Sequence, residues 1–328
     1  MCVVTMDQIL REASMFSRRT LLVAAFAVTG GAFADTASAQ GYPAQTVRIV
    51  VPFGPGSLTD ILARIIAEDA SKKWNQQVIV ENRPGLPGTI AVARAEPDGL
   101  TLMLTSNGHA AVGYINKNAG FDPVRDFAGI TRLATIPMYL IVHPDVRAKT
   151  VAELIALAKS KPGTLNFASP GLGSGGYIAA ALFKKLAGID IVHIPYKGAP
   201  EAMTATVRGD AQIYFTPLNL TDELVQTGRI RAIVSLAPAR MPELPDVPTF
   251  RESGFNFDHS PWYGLMAPAR VPRPIIEKIN RDVIDIIRSA KVQEKLKAQY
   301  LLGLADTPAQ FDAMIQNDTA ALADVFKD

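Results

Sequence analysis

Short apolar runs alternate along the chain with segments in which apolar residues recur at helical spacing. Residues 47–51 are mostly apolar and predict a buried strand, while the apolar positions of residues 58–74 repeat every three or four residues and predict a helix. The strand signal recurs at residues 78–80, 100–104, 165–168, 191–194, 211–215 and 230–236. Strands that alternate with helices in this way indicate an α/β fold built on parallel sheets.

The placement of these strands indicates two lobes, because 328 residues exceed one typical hydrophobic core. An apolar strand at residues 138–142 marks the boundary between the lobes. A strand signal within residues 257–268 returns the chain to the first lobe, which two long amphipathic helices complete. We therefore predict lobe 1 at residues 40–141 and 262–328, and lobe 2 at residues 142–261.

The first 39 residues have the features of an export signal. Arg18 and Arg19 precede an apolar run over residues 21–34, and Ala37-Ser38-Ala39 is a small-x-small cleavage site. The paired arginines resemble a twin-arginine signal, and the Sec route is equally compatible. Translation can start at Met1 or at Met15. Either way the mature protein is predicted to be periplasmic, and it lacks the single cysteine, Cys2.

Composition excludes several function classes. The 33 basic and 31 acidic residues are nearly balanced and form no basic stripe, so we expect no nucleic-acid partner. No apolar run after the signal has membrane-spanning length. The four histidines lie far apart in sequence without metal-ligand spacing, and the chain has no HExxH or GxSxG motif. We therefore predict no metal, no cofactor and no catalytic residue.

Four loops rich in glycine and hydroxyl groups follow predicted strands, at residues 53–60, 105–109, 169–176 and 195–198. In parallel sheets, ligands collect at the carboxyl ends of strands. Free N–H groups at the helix starts that follow such loops attract anions. Two loops from each lobe predict a cleft, and their uncharged donors favour a carboxylate over a phosphate. Ordinary strand-to-helix connections would give the same signal at any single loop.

Individual side chains in these loops leave alternatives open. Ser57 can cap the first helix, with Asp60 as the acidic partner of a capping box. His109 follows a strand end and can contact ligand or lie in a solvated loop. Lys197 can bind an anion or occupy an exposed turn. The serines have no companion base nearby in sequence, so we interpret them as hydroxyl donors rather than nucleophiles.

Gly171-x-Gly173-x-x-Gly176 follows a strand and opens a helix, as a dinucleotide-binding fingerprint does. The fingerprint also requires an acidic residue at the end of the next strand, and here that strand ends in Pro195-Tyr196. Nicotinamide and flavin binding are therefore disfavoured. What remains is a glycine loop that lets a ligand approach backbone N–H groups.

A collinear set of short motifs extends from about residue 42 to the end of the chain. They include Val51-Pro52-Phe53 with Pro55-Gly56, Val80-Glu81-Asn82-Arg83-Pro84-Gly85, Ser106-Asn107-Gly108, His193-Ile194-Pro195-Tyr196-Lys197-Gly198 and Gly264-Leu265-Met266-Ala267-Pro268. Together they resemble the Bug family, the TctC-like extracytoplasmic solute receptors of tripartite tricarboxylate transporters.

The resemblance implies a type II-like periplasmic binding protein, with two βα lobes, two crossovers and a central cleft that closes over a small carboxylate. It implies no enzyme activity, a monomer, and integral membrane transporter subunits of the TctA/TctB kind as partners. Carried over residue by residue, the ligand contacts would be Phe53, Gly54, Gly56, Ser57, Leu58, Thr59, Asp60, Ser106, Asn107, Gly108, Ser169, Gly173, Ser174, Gly175, Tyr196 and Thr216.

The chain departs from the family pattern in three loops. Ser57 replaces a usual glycine and is followed by bulky Leu58, Gly175 and Gly176 replace small polar residues, and Thr216-Pro217 stands where many relatives have an aspartate. These changes argue against a ligand amino group and favour a plain or aromatic carboxylate. Two alternative functions stay open: an exported α/β hydrolase or transferase, and a ligand sensor for a signalling partner.

Overall fold

The structure, a computed structural model, describes residues 41–257, 261–323 and 325–326. The predicted export signal lies outside these residues. The strands are β1 Val47–Val51, β2 Val78–Asn82, β3 Thr101–Ser106, β4 Phe127–Thr135, β5 Met138–Val142, β6 Asn166–Ser169, β7 Val192–Pro195, β8 Ile213–Pro217, β9 Arg231–Ser235, β10 Trp262–Pro268 and β11 Leu302–Gly303.

Helices follow most of these strands. They are α1 Leu58–Trp74, α2 Leu86–Ala93, α3 Gly108–Ile115, α4 Val151–Ser160, α5 Gly175–Ala187, α6 Ala199–Arg208, α7 Asp222–Gln226, α8 Arg273–Arg288, α9 Ala290–Lys297 and α10 Pro308–Ala323. Within the described ranges, none of the helices is both long enough and apolar enough to cross a membrane.

The strands form two sheets, in the spatial orders β11-β4-β10-β3-β1-β2 and β7-β6-β8-β5-β9. The predicted α/β class and the two-lobe fold are confirmed, but the sheets are mixed rather than parallel. β10 is antiparallel to β3 and β4, and β5 is antiparallel to β8 and β9. β10 and β5 both enter directly from the other lobe, without the crossover helix that makes neighbouring strands parallel. The two-residue β11, at the edge of the first sheet, is also antiparallel to β4.

The boundary between the lobes lies earlier than residue 141. All five residues of β5 are buried, and the strand is hydrogen-bonded on both sides within the second sheet. The chain therefore leaves the first sheet at the end of β4 and crosses at Ile136 and Pro137. The apolar run at 138–142 indicated burial correctly, but burial alone could not assign the strand to a lobe.

Helix caps hold the predicted helix starts in place. Thr307 and Gln310 form a reciprocal capping box, with Gln310 N–H donating to Thr307 Oγ1 at 3.3 Å and Thr307 N–H donating to Gln310 Oε1 at 2.9 Å. Thr150 caps α4 by accepting from Glu153 N–H at 3.2 Å. Such caps are each worth about 1 kcal/mol of stability.

The lobes contact each other beside the cleft as well as through the crossovers. Ala110 and Ala111 of α3 pack with Ile178 of α5 and Leu322 of α10 in one buried apolar cluster. On another side, Tyr300 packs against the second-lobe core, and its hydroxyl donates to Asp222 Oδ2 at 3.2 Å. The structure therefore has its two lobes closed on each other.

Candidate functional site

A cleft of about 720 Å³ lies between the two sheets at the carboxyl ends of their strands. Its walls include loop residues of both lobes and the segments that cross between them. Five apolar or aromatic residues contribute side chains to its lining: Phe53, Leu58, Met138, Leu172 and Tyr263. Its volume suits a small organic molecule.

Helix starts supply the polar part of the cleft. Ser57 caps α1 by accepting from Asp60 N–H at 3.2 Å. Ser174 caps α5 by accepting from Tyr177 N–H at 3.2 Å and donates its own proton to Gly171 O at 2.8 Å. The starts of α3 at Asn107 and of α6 at Gly198 also line the cleft. Four helix dipoles therefore present their positive ends to one cavity.

Charge is scarce along these walls. Among the described residues that line the cleft, Lys197 alone carries a formal charge, and its side chain is exposed at the loop before α6. Burial raises the pKa of Tyr214 and of Tyr263, so both phenols stay protonated. The cavity therefore combines uncharged donors and a weak positive potential with no carboxylate to repel an anion.

Asp60 is buried beneath the first loop and does not line the cleft, contrary to its predicted place among the ligand contacts. Its carboxylate accepts from Gly56 N–H at 2.9 Å, from Asn82 Nδ2 at 3.0 Å and from Arg64 Nε at 3.2 Å. Burial acts to raise the pKa of Asp60, but these three donors outweigh burial and hold it below its ordinary value. Asp60 therefore stabilises the conformation of the loop and does not contact the cleft.

Asp60→Asn is expected to lower the free energy of unfolding by about 1–3 kcal/mol, because hydrogen bonds to a charged acceptor are lost in a buried setting. The measurement is urea unfolding at pH 7. Asp285→Asn is the matched control, since Asp285 forms an exposed pair with Lys73 that is expected to contribute little. Equal effects of the two substitutions would contradict the role assigned to Asp60.

Most of the predicted ligand contacts come together in the cleft. These are Phe53, Gly54, Gly56, Ser57, Leu58, Thr59, Ser106, Asn107, Gly173, Ser174 and Gly175. The others lie elsewhere. Gly108 packs against Gly173 O of the facing lobe, and Tyr196 packs on the second-lobe core. Thr216 is fully buried, because strand alternation turns it to the face opposite Phe215.

Ser169 is also outside the cleft, and it has a partner that sequence reasoning missed. Its hydroxyl lies 2.7 Å from His193 Nε2 and also bonds to the backbone of Gly171. The signal was present in the sequence. Ser169 and His193 lie on neighbouring parallel strands, and strand alternation turns both side chains to the same face of the sheet. Ser169 is fully buried, so the pair fixes the loop and offers no accessible nucleophile.

The apolar lining from the crossover segments was also missed. Ile136, Met138 and Pro261 lie where the chain passes between the lobes, and all three line the cleft. A search confined to polar glycine loops could not find them. The sequence did contain a signal for these residues, namely the predicted crossovers between the lobes. Segments that connect two lobes form the floor of the cleft between them.

Comparison with known proteins places this geometry in a family. Residues 62–327 match the family described as tripartite tricarboxylate transporter family receptor, TctC. Protein BugT of Bordetella pertussis is 31% identical over 318 residues, covering 95% of this chain and 97% of BugT. MatC from Rhodopseudomonas palustris with bound malate is 30% identical, with a TM-score of 0.73 over 87% of this chain and 100% of MatC.

A second solved structure, R. palustris Rpa4515 with adipate, is 28% identical, with a TM-score of 0.73 over 87% of this chain and 97% of that one. These similarities confirm the resemblance predicted from the motifs, together with the type II-like periplasmic binding fold. The family consists of solute receptors rather than enzymes. The chain therefore belongs to the TctC family of tripartite tricarboxylate transporter receptors.

Proposed function

We propose that this protein is a periplasmic receptor that captures a small carboxylate with an apolar or aromatic body. The observation that carries the proposal is the convergence of four helix starts on a cleft whose other walls are apolar. Helix N-termini stabilise a carboxylate through N–H donors and dipoles, without a counter-cation. The malate and adipate bound to its relatives support the same ligand class.

Capture works by closure of the lobes. A ligand that bonds to loops of both lobes binds the closed state better than the open one, so it shifts the population toward closure. The first-lobe contacts proposed are the backbone and hydroxyls of residues 53–59 with Ser106 and Asn107. The second-lobe contacts are Gly173, Ser174 and Gly175. The closed receptor then delivers its ligand to membrane subunits of a tripartite transporter.

The apolar walls decide between ligand types. Phe53, Leu58 and Leu172 offer no partner to a ligand amino group, and the cleft has no carboxylate among its described lining residues. Burying an ammonium group without a partner is costly. We therefore expect aromatic and aliphatic carboxylates to bind better than the acidic amino acids of the same size.

A thermal-shift screen of mono-, di-, tricarboxylic and aromatic acids tests the proposal. Binding of any acid raises Tm in proportion to the logarithm of its concentration over Kd. Ser174→Trp fills the second-lobe loop and should abolish every ligand-induced shift while the protein stays folded. Ser289→Trp is the matched control, because Ser289 caps α9 and lies outside the cleft lining. No shift with any carboxylate would contradict the proposal.

The ligand-sensor alternative uses the same cleft and changes only the protein that reads the closed state. A pull-down with the liganded receptor and its Ser174→Trp variant distinguishes the two. Retention of integral membrane subunits by the liganded form supports transport. Retention of a signalling protein supports the sensor.

A further inference from the structure

A second cavity of about 220 Å³ lies directly beside the cleft. We call it the side pocket and define it by Leu86, Thr89, His109, Val112, Ile115 and Asn116, which line it together with three residues of the cleft. Those three shared residues are Phe53, Leu172 and Gly173. Phe53 and the tip of the second-lobe loop therefore form a wall that the two cavities share.

The side pocket has a largely apolar wall without formal charge. None of its described lining residues is Lys, Arg, Asp or Glu. His109 is neutral, because its Nε2–H donates to Pro123 O at 2.8 Å and burial keeps the ring from taking a second proton. Buried charge without a partner is strongly unfavourable. The occupant that fits is consequently an uncharged hydrocarbon group rather than a second carboxylate.

Leu172 gives an independent indication of an apolar occupant. It is 58% exposed, more than any other large hydrophobic residue in the part of the chain that the structure describes. It stands between Gly171 and Gly173, both with positive φ, which hold the loop tip over the two cavities. An apolar group that extends from the cleft into the side pocket would cover this side chain and gain the corresponding hydrophobic free energy.

The side pocket is closed only when the lobes meet. Gly108 belongs to lobe 1 and Gly173 to lobe 2, and both line the side pocket where their backbones approach each other. Opening the lobes would separate Leu172 and Gly173 from the remaining wall. A group bound there therefore contacts both lobes and adds to the free energy that favours closure.

We infer that the side pocket is a subsite for the apolar end of the ligand, an alkyl chain or an aromatic ring, whose carboxylate lies at the helix starts of the cleft. This inference rests on the proposed carboxylate binding and adds its selectivity for chain length. Phe53 and Leu172 then contact the ligand where it passes from one cavity to the other. Acids too short to pass Phe53 use the cleft alone.

The test compares straight-chain monocarboxylates from butanoate to decanoate by calorimetry. In the wild-type protein, affinity should rise about fourfold for each methylene that enters the side pocket and then level off. Val112→Phe fills the pocket and should remove this rise while leaving butanoate binding unchanged. Val112→Ala keeps the wall apolar without filling the pocket and is the matched control, in which the rise should persist. Leu86→Phe fills the pocket from another wall and covers the case in which Val112→Phe does not fold.

The outcomes separate the subsite from the function. Two results overturn the subsite and leave carboxylate binding intact. In the first, the wild-type protein binds butanoate but gains no affinity for longer chains. In the second, Val112→Phe and Leu86→Phe gain as much affinity for longer chains as the wild-type protein does. Failure of the straight-chain acids alone to bind the wild-type protein overturns the subsite. Failure of these acids and of the aromatic, di- and tricarboxylic acids of the thermal-shift screen overturns both.

Discussion

Gly108→Ala is expected to prevent closure of the lobes and to weaken ligand binding about 10- to 100-fold, without unfolding the protein. A Cβ atom at residue 108 would lie 2.4 Å from Gly173 O, which belongs to the facing lobe. A Cβ atom essentially never makes a non-bonded contact this short. Overpacking of this kind costs about 1–3 kcal/mol, and each 1.4 kcal/mol is a factor of ten in affinity.

The clash exists only in the closed state, because the two backbones separate when the lobes open. Gly108 is the first residue of α3 and does not have a positive φ, so alanine fits the open protein. Alanine also favours a helix more than glycine does. The variant should therefore keep or slightly raise its Tm without ligand and lose the ligand-induced shift.

Gly113→Ala is the matched control in the same helix. A Cβ atom there would meet Pro123 Cδ at 3.7 Å, an ordinary van der Waals contact within lobe 1. Calorimetry should give this variant the affinity of the wild-type protein, and small-angle scattering with ligand should show it compact while Gly108→Ala stays extended. Equal affinities for the two variants would mean that ligand binding does not require the closed contact.

The fold could be predicted from the sequence because its signals are local. The strand at 47–51, the cap at Ser57 and the apolar spacing of residues 58–74 each depend on neighbours in the chain, and β1 and α1 form there. The assignment of β5 failed for the opposite reason. Its apolar run predicts a buried strand in either lobe, and only pairing with β8 and β9 decides which.

The candidate site divides in the same way. Loops at strand ends come together by topology, so Ser57, Asn107 and Ser174 could be placed in the cleft from sequence. The direction of a side chain within a loop depends on its hydrogen-bond partners. Asp60 turns inward because Gly56 N–H and Asn82 lie behind it, and no local pattern reports that.

A drop in pH from 6.5 to 4 is expected to destabilise the protein by up to about 3 kcal/mol through His109. The ring is buried between Phe121 and Phe127, and burial lowers its pKa from 6.5 to about 4, although its hydrogen bond to Pro123 O opposes the shift. Between these values the unfolded chain binds a proton that the folded protein does not, so stability falls as pH falls. Each pKa unit corresponds to about 1.4 kcal/mol.

Urea unfolding at pH 7, 5.5 and 4.5 measures the effect. His109→Gln retains a donor for Pro123 O but cannot titrate, so its stability should decline less steeply with acid than that of the wild-type protein. It should keep part of the decline, because burial also lowers the pKa of His193. Phe121→Leu removes a ring that stacks on His109 and no titratable group. It should lower stability at every pH and, because His109 is then less buried, make the decline with acid less steep. Parallel slopes for the wild-type protein and His109→Gln would show that the ring is already protonated, or accessible to water, in the folded state.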